Sequence, residues 1–260
     1  MRLIFLGTGT SFGVPQIGCG CRTCTSPDPR DRRTRTAALI EGGGGRRLLI
    51  DTPPELRLQL VGAGVTSVDA VLFTHAHADH VHGIDDLRAV STRRRGPLDV
   101  YGAASTLAEL ARRFDYIFDG TPAAPGTSKP ELVGHPLEPD RETEIAGMAV
   151  RALALPHGDR MVLGYRVGPI AYLTDVKSVP EAALSRLTGL AVLVLNALLP
   201  RPHPLHLSIP EAVAVAQRIG ARQTFLTHLT HDAPHAELAA RLPAAIAPAY
   251  DGLVIEVDAV

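Results

Sequence analysis

Apolar residues along the chain fall in short blocks broken by glycine, proline or charged turns, the punctuation of strands more than of long helices. RLIFL (2–6), TAALIE (36–41) and RRLLID (46–51) read as strands, and the GGGG between the last two reads as a hairpin-like break. PELRLQLVGAG has helical character with Gly64 as its stop, and DAVLFT (69–74) is an apolar strand that runs into a histidine cluster. Leu107, Leu110 and Phe114 have helical spacing, whereas GTPAAPGTSKP (120–130) is a turn-rich loop. The second half repeats the style with MAVRALALP, VLGYRVG, IAYLTD, LAVLVLN, QTFLTH and LVIEVD as strands. SIPEAVAVAQRIG is a helix with Ser208 at its N-cap and Gly220 past its end. No short-period repeat interrupts this order. Strands followed by helices in both halves predict an α/β (α+β) sandwich, two packed β-sheets flanked by helices, as one continuous domain over 1–260.

Composition changes this picture little. The 260 residues are 45% hydrophobic and 20% charged, enough apolar material for a good core, and the net charge is -1. No global basic field draws the chain to nucleic acid or membrane. The arginine clusters Arg30, Arg32, Arg33, Arg35 and Arg93, Arg94, Arg95 are expected to be solvated loops. No apolar run is long enough to span a bilayer, and MRLIFLGTGTS reads as a first strand ending in a glycine turn rather than a signal peptide. The cysteine count is 3, and all of them sit in GCGCRTC as Cys19, Cys21 and Cys24. Three thiols cannot pair fully as disulfides, and three thiolates are one ligand short of a tetrahedral zinc. Reduced cysteines fit a cytoplasmic setting.

The strongest chemical signal is THAHADHVHG, which puts His75, His77, Asp79 and His80 directly after a strand. Imidazole and carboxylate suit zinc, manganese or iron. In extended chain, residues two apart point the same way, so His75 and His77 can share one ion. Asp79 and His80 come where the chain turns into helix and point elsewhere, so one stretch can serve two adjacent ions.

H-x-H-x-D-H after a strand resembles the signature of the metallo-β-lactamase fold hydrolases, and later motifs of that superfamily follow in order: His157 in LALPHGD, Asp175 in AYLTDV and His228 in TFLTHLTH. The resemblance covers nearly the whole chain and implies an αββα fold. It also implies one ion on His75, His77 and His157, a second on Asp79, His80 and His228, and Asp175 as the bridge. Asp51, at the end of LLID, is implied to orient a ligand histidine; as a residue read alone, it suits a helix N-cap equally well.

FLGTGTSFGVPQIGCGCRTC resembles the N-terminal run of the phosphoribosyl 1,2-cyclic phosphate phosphodiesterase branch, the carbon–phosphorus lyase pathway relatives of tRNase Z. Gly7, Gly9 and Gly13 would let the backbone turn tightly near the site. Phosphodiesterases of this branch place a non-ligand histidine before a helix. His206 in RPHPLHLS matches best, as general acid and phosphate contact, with His203 as the alternative. The implied activity is hydrolysis of a small phosphodiester, cyclic and ribose- or nucleotide-like, by hydroxide generated on two divalent ions, zinc or manganese. The relatives pair their cysteine knuckle with a histidine at the offset of His231, which implies one structural zinc on Cys19, Cys21, Cys24 and His231, with His235 as the other candidate. They are commonly dimers, so a homodimer is expected; membrane and nucleic acid are not expected partners. Three rival readings remain: an RNA-processing nuclease of the tRNase Z type, although no basic glycine-rich arm is visible; a pyrroloquinoline quinone biosynthesis protein; and an ester or thioester hydrolase. His82 and His135 receive no role.

Overall fold

Blocks such as VLVL (192–195), apolar at every position, suit strands with both faces covered, and the chain builds two sheets of this kind. The computed structural model describes residues 1–258. The first sheet takes β1 (Arg2–Gly7), β2 (Ala37–Glu41), β3 (Arg47–Ile50), β4 (Ala70–Leu72), β5 (Leu98–Gly102) and β6 (Leu132–Pro136). The second takes β7 (Glu142–Ile145), β8 (Met148–His157), β9 (Arg160–Val167), β10 (Ile170–Leu173), β11 (Val192–Asn196), β12 (Gln223–Thr227) and β13 (Ile246–Pro248). β14 (Val254–Glu256) returns to the first sheet beside β1. The orders are β14-β1-β2-β3-β4-β5-β6 and β13-β12-β11-β10-β9-β8-β7. β3 to β6 are parallel, and so are β10 to β13.

Alternation along each strand sorts its side chains into layers. Leu3, Phe5, Leu48 and Ile50 of the first sheet meet Val150, Leu163, Tyr165, Val194 and Phe225 of the second in the central layer. The intervening Ile4, Leu39, Leu49 and Val71 face outward under helices. Those helices are α1 (Leu56–Gly62), α2 (Ala78–Val81), α3 (Leu87–Arg94), α4 (Ala104–Arg113) and α5 (Asp115–Phe118). On the other outer face Leu193, Leu195 and Leu226 pack with α6 (Glu181–Leu184), α7 (Ile209–Ile219) and α8 (His235–Arg241). The result is the expected pair of sheets flanked by helices.

Two backbone carbonyls at the end of β4 join the sheets. Leu163 N donates to the Thr74 carbonyl at 2.9 Å, and the Tyr165 hydroxyl donates to the Phe73 carbonyl at 2.6 Å. They fix β4 against β9 just before the first histidine.

One expectation is overturned. Arg33 does not lie in a solvated loop: it is 2% exposed. The segment after β1 passes back beneath the strand end, with Gly9 N bonded to the Thr34 carbonyl and Val14 N to that of Arg33. This path draws the guanidinium inward, where Nη1 donates to the Ala249 carbonyl at 2.7 Å and to Thr8 Oγ1 at 3.3 Å. Gly7 and Gly9 are needed here for close approach rather than for unusual dihedrals. A Cβ on Gly7 would lie 2.0 Å from the Arg35 carbonyl oxygen, and one on Gly9 2.7 Å from that of Arg33. Among the described residues, no helix is long and apolar enough to cross a membrane.

Candidate metal centre

The histidine-rich segments are brought together because parallel strands end at one edge of the sandwich. Asp51 follows β3, His75 follows β4, Asp175 follows β10 and His228 follows β12, while His157 is the last residue of β8. Asp51, Asp175 and His228 have φ of 63°, 58° and 55°, the left-handed region that non-glycine residues seldom occupy. Each turn costs on the order of 1 kcal/mol or more and aims its side chain back across the strand ends. Asn196, at the end of β11, holds one of these turns: its Oδ1 accepts from Val176 N at 2.7 Å.

Two donor clusters result, and they share one carboxylate. His75, His77, His157 and Asp175 form the first, and Asp79, His80, Asp175 and His228 the second; within each, the donor atoms lie within 4.8 Å of one another. Asp175 Oδ2 is 3.3 Å from His75 Nε2 and 3.2 Å from His80 Nε2, while its Oδ1 is 3.1 Å from His228 Nε2. His75 Nε2 faces His77 Nδ1 at 2.9 Å, and Asp79 Oδ2 is 3.5 Å from His80 Nε2.

The surroundings decide which ring nitrogen faces inward. His80 Nδ1 donates to Asp51 Oδ2 at 2.7 Å, which leaves Nε2 for the centre. Among the described residues that Nε2 is buried with no hydrogen-bond partner, as are both ring nitrogens of His228. Thr74 Oγ1 also donates to Asp51 Oδ2, at 2.7 Å, and lies 3.0 Å from His75 Nδ1. Asp51 thus reaches His80 directly and His75 through Thr74, while Thr74 N binds its other oxygen. His157 Nδ1 donates to the Leu205 carbonyl at 3.1 Å, which again leaves Nε2. Arg113 of α4 donates from Nη1 to the Ala76 carbonyl at 2.6 Å and steadies the turn between His75 and His77. Thr74, the Leu205 carbonyl and Arg113 had no sequence signal, since each acts through a contact remote in the chain.

Electrostatics divide the imidazoles. Burial pushes His75, His77 and His157 below the ordinary histidine value, so they stand neutral and ready to donate a lone pair. Burial opposes a charge on His80 too, but the carboxylates of Asp175 and Asp51 overcome it and raise His80 well above its usual value. Against the same burial, His228 and His80 hold Asp175 well below the carboxylate range, and they also depress Asp79. A divalent ion at the centre would itself offset these buried carboxylates, the usual coupling of metal binding to proton release. Orphaned inward nitrogens, neutral imidazoles and a shared carboxylate make both donor sets fit for divalent ions.

His206 lies beside both clusters, its ring centroid 4.8 Å from that of His157 and 5.0 Å from that of His228. It is buried, and burial together with His228 pushes it down to about 3. Its Nδ1 has no partner among the described residues. His203 sits further out, 5.2 Å ring to ring from His206, and its Nδ1 accepts from Leu205 N within the loop.

Three residues beyond His228, the three sulfurs gather on one imidazole. His231 Nδ1 is 3.4 Å from Cys19 Sγ, 3.6 Å from Cys21 Sγ and 3.3 Å from Cys24 Sγ. Zinc bonds of about 2.3 Å to sulfur and about 2.0 Å to nitrogen give a tetrahedral edge of about 3.5 Å, so the set fits zinc. Burial raises Cys24 to about 11, whereas the Cys24 backbone N–H lowers Cys21 to about 7. Coordination would deprotonate both. His235 is not in this set: it is buried against Tyr250, with ring centroids 5.5 Å apart. His135 pairs with Asp99 at 2.8 Å and stacks on Tyr101, and His82 packs edge-on to Phe114; neither joins a donor cluster.

A family model described as a beta-lactamase superfamily domain matches residues 46–229. An octanoyltransferase of Porphyromonas gingivalis is 42% identical over 260 residues, which covers 99% of this chain but 52% of that protein. The chain spans about half the length of the curated relatives it matches. A crystal structure described as a new diphosphatase from the PhnP family is 38% identical, covers 98% of this chain and 97% of its own, and superposes with a TM-score of 0.90. Zinc-bound PqqB from Methylobacterium extorquens superposes with a TM-score of 0.79 at 20% identity, over 99% of this chain and 100% of that one, a likeness of fold.

Proposed function

The chain belongs to the beta-lactamase superfamily, and from that premise we propose that it is a two-metal phosphodiesterase acting on a small phosphodiester, with zinc or manganese as the catalytic ions and zinc in the cysteine knuckle. The observation that carries this reading is the pair of donor clusters bridged by Asp175 with the non-ligand His206 beside both. His75, His77 and His157 would hold one ion, Asp79, His80 and His228 the other, with Asp175 between them. When bound, two such ions polarise a phosphoryl oxygen and supply a nucleophile at neutral pH. The protein's own part is to fix the donors and to manage a proton. Asp51 keeps His80 and His75 in the tautomers that present Nε2. His206, neutral in the free protein, gains hold of a proton when an anionic phosphate arrives beside it. It then donates that proton to the departing oxygen.

A second reading, hydrolysis of a diphosphate, is favoured by the 38% identical structure described as a diphosphatase. Both reactions break a P–O bond over the same centre. The transfer activity named for the longer Porphyromonas gingivalis protein is not carried over, since this chain covers 52% of that protein. The thiol knuckle also favours a reducing, cytoplasmic setting. Metal-replete protein is expected to hydrolyse bis(p-nitrophenyl) phosphate and to stop when chelated. His206→Ala should keep its metals and lose about 10²-fold or more in turnover. Absence of turnover by metal-loaded wild type would favour a binding or cofactor-assembly role of the pyrroloquinoline quinone type. RNA binding that falls steeply with salt would favour the nuclease.

A further inference from the structure

Far from the metal centre, a cavity of about 600 Å³ lies between the outer face of the second sheet and the turn after α6. Arg151 of β8, Arg166 of β9 and Arg186 of that turn all reach its wall. Arg151 stands six residues before His157 on β8, and Arg166 six residues after Arg160 on β9. About 20 Å of strand therefore separates this cavity from the first donor cluster.

The strand neighbours Val150, Ala152, Tyr165 and Val167 belong to the central layer, so alternation turns Arg151 and Arg166 to the outer face. There the β8–β9 register sets Arg151 directly opposite Arg166. Like charges in opposed positions destabilise a sheet. Arg186 adds a third cation to the same wall. Only Arg151 is well compensated: its Nη2 donates to Glu142 Oε2 at 2.9 Å, and its Nη1 to the Asp140 carbonyl at 2.7 Å. The Asp140 carboxylate approaches Arg186 no closer than 3.8 Å. Arg166 donates to two backbone carbonyls, from Nε to Gly168 at 3.1 Å and from Nη1 to Arg186 at 2.5 Å. Among the described residues, no ion pair meets it. The carbonyls fix its guanidinium without neutralising it. Arg166 thus ties the turn after α6 to β9, but that tie explains neither the arginine opposite it nor the one beside it. Three cations converge here on a chain whose net charge is -1.

We propose that this cavity binds a phosphate monoester of nucleotide size, its dianionic phosphate held by Arg166 and Arg186 with Arg151 behind them. Guanidiniums supply the planar donor pairs that phosphate oxygens accept, and a dianion relieves the crowding of like charge. The volume is in the range of small-ligand pockets and exceeds what a phosphate alone fills. Ala149, Pro169 and Met1 give an apolar stretch of wall for the rest of the molecule. The site is separate from the metal centre and does not depend on which bond is broken there.

Calorimetric titration of the zinc-loaded full chain with AMP, adenosine and inorganic phosphate tests this. Wild type is expected to bind AMP, to bind inorganic phosphate more weakly and to ignore adenosine. Arg166→Gln and Arg186→Gln should each weaken AMP about ten-fold, with turnover of bis(p-nitrophenyl) phosphate unchanged. The Arg186 side chain holds no backbone carbonyl, so Arg186→Gln probes the site without removing the tie from β9 to the turn. Its melting temperature should stay level or rise, because one of three crowded cations is gone. No AMP binding by wild type, or adenosine or inorganic phosphate bound as tightly as AMP, would overturn the site. So would AMP binding that neither substitution weakens, the behaviour of a phosphate held at the metals. A lower melting temperature in Arg186→Gln with AMP affinity intact would leave the arginines a purely structural part.

Discussion

Asp51 combines a left-handed backbone with four polar contacts, and both features serve the neighbouring histidines. Asparagine tolerates the same dihedrals but carries no charge. Asp51→Asn is therefore expected to fold and to lose about 10- to 100-fold in affinity at the catalytic pair, as read by chelator competition. An affinity equal to wild type would reduce Asp51 to a backbone device. A different residue sets a pH dependence. Burial, with Arg33 and Arg30 nearby, lowers His235 to about 4, so it is neutral in the fold but protonates below about 6.5 when unfolded. The unfolded chain then binds more protons between these values, and stability falls as pH drops through that window. The loss attributable to His235 is at most about 3 kcal/mol. It should appear as the difference between denaturation profiles of wild type and His235→Phe at pH 7 and pH 4. His75, His77 and His80 were legible from spacing alone. From sequence alone Asp51 suits a helix N-cap as well as a histidine partner, and only its contact with His80 across the fold separates the two. Arg33 was misread because an arginine run looks solvated unless the chain's path is known.

At the scale of elements, α7 is bounded as its sequence requires. Ser208 Oγ accepts from Glu211 N, Glu211 Oε2 accepts from Ser208 N at 2.7 Å, and Gly220 closes the helix at φ 69°. The same cap anchors the histidine loop, since Leu207 bonds through its N–H to Val176 and through its carbonyl to Leu198. Ser208→Ala should cost about 1 kcal/mol, visible as a drop of about 2–4 °C in Tm. An unchanged Tm would mean that packing alone holds the helix start. Strands with dense apolar runs, β1 to β4 and β8 to β12, were legible, whereas β5, β6, β7 and β13 were not. LDVYG and LVGHP carry glycine, proline or charge, and β7 and β13 are edge strands of their sheet, so pairing with a neighbour, not local pattern, makes them strands. α3, polar along LRAVSTRR, gave no periodic signal either.

At the scale of the whole molecule, the knuckle joins positions 212 residues apart, Cys19 and His231, and sits next to the strand end that supplies His228. Closing a loop of that length removes about 5 kcal/mol of chain entropy from the unfolded state in the cross-link model, an upper bound for a metal clip. Cys21→Ser should lose one of three ions per chain and lower Tm, with the catalytic pair still loaded; full zinc content in that variant would return GCGCRTC to an ordinary loop. The composition alone shows three of the candidate knuckle ligands; the fourth, His231, comes from the family resemblance, because it lies across the fold from them.

The same link makes the chain a noose. With zinc held by these four residues, pulling between residues 1 and 258 would pay out only residues 1–18 and 232–258, roughly 160 Å at about 3.5 Å per residue. Everything between, the candidate metal centre included, would be shielded from the load until the single bond to His231 parted, and a chelator would restore a contour of roughly 900 Å. Zinc bound there would set the mechanical length between those two handles, a quantity an optical trap reads directly.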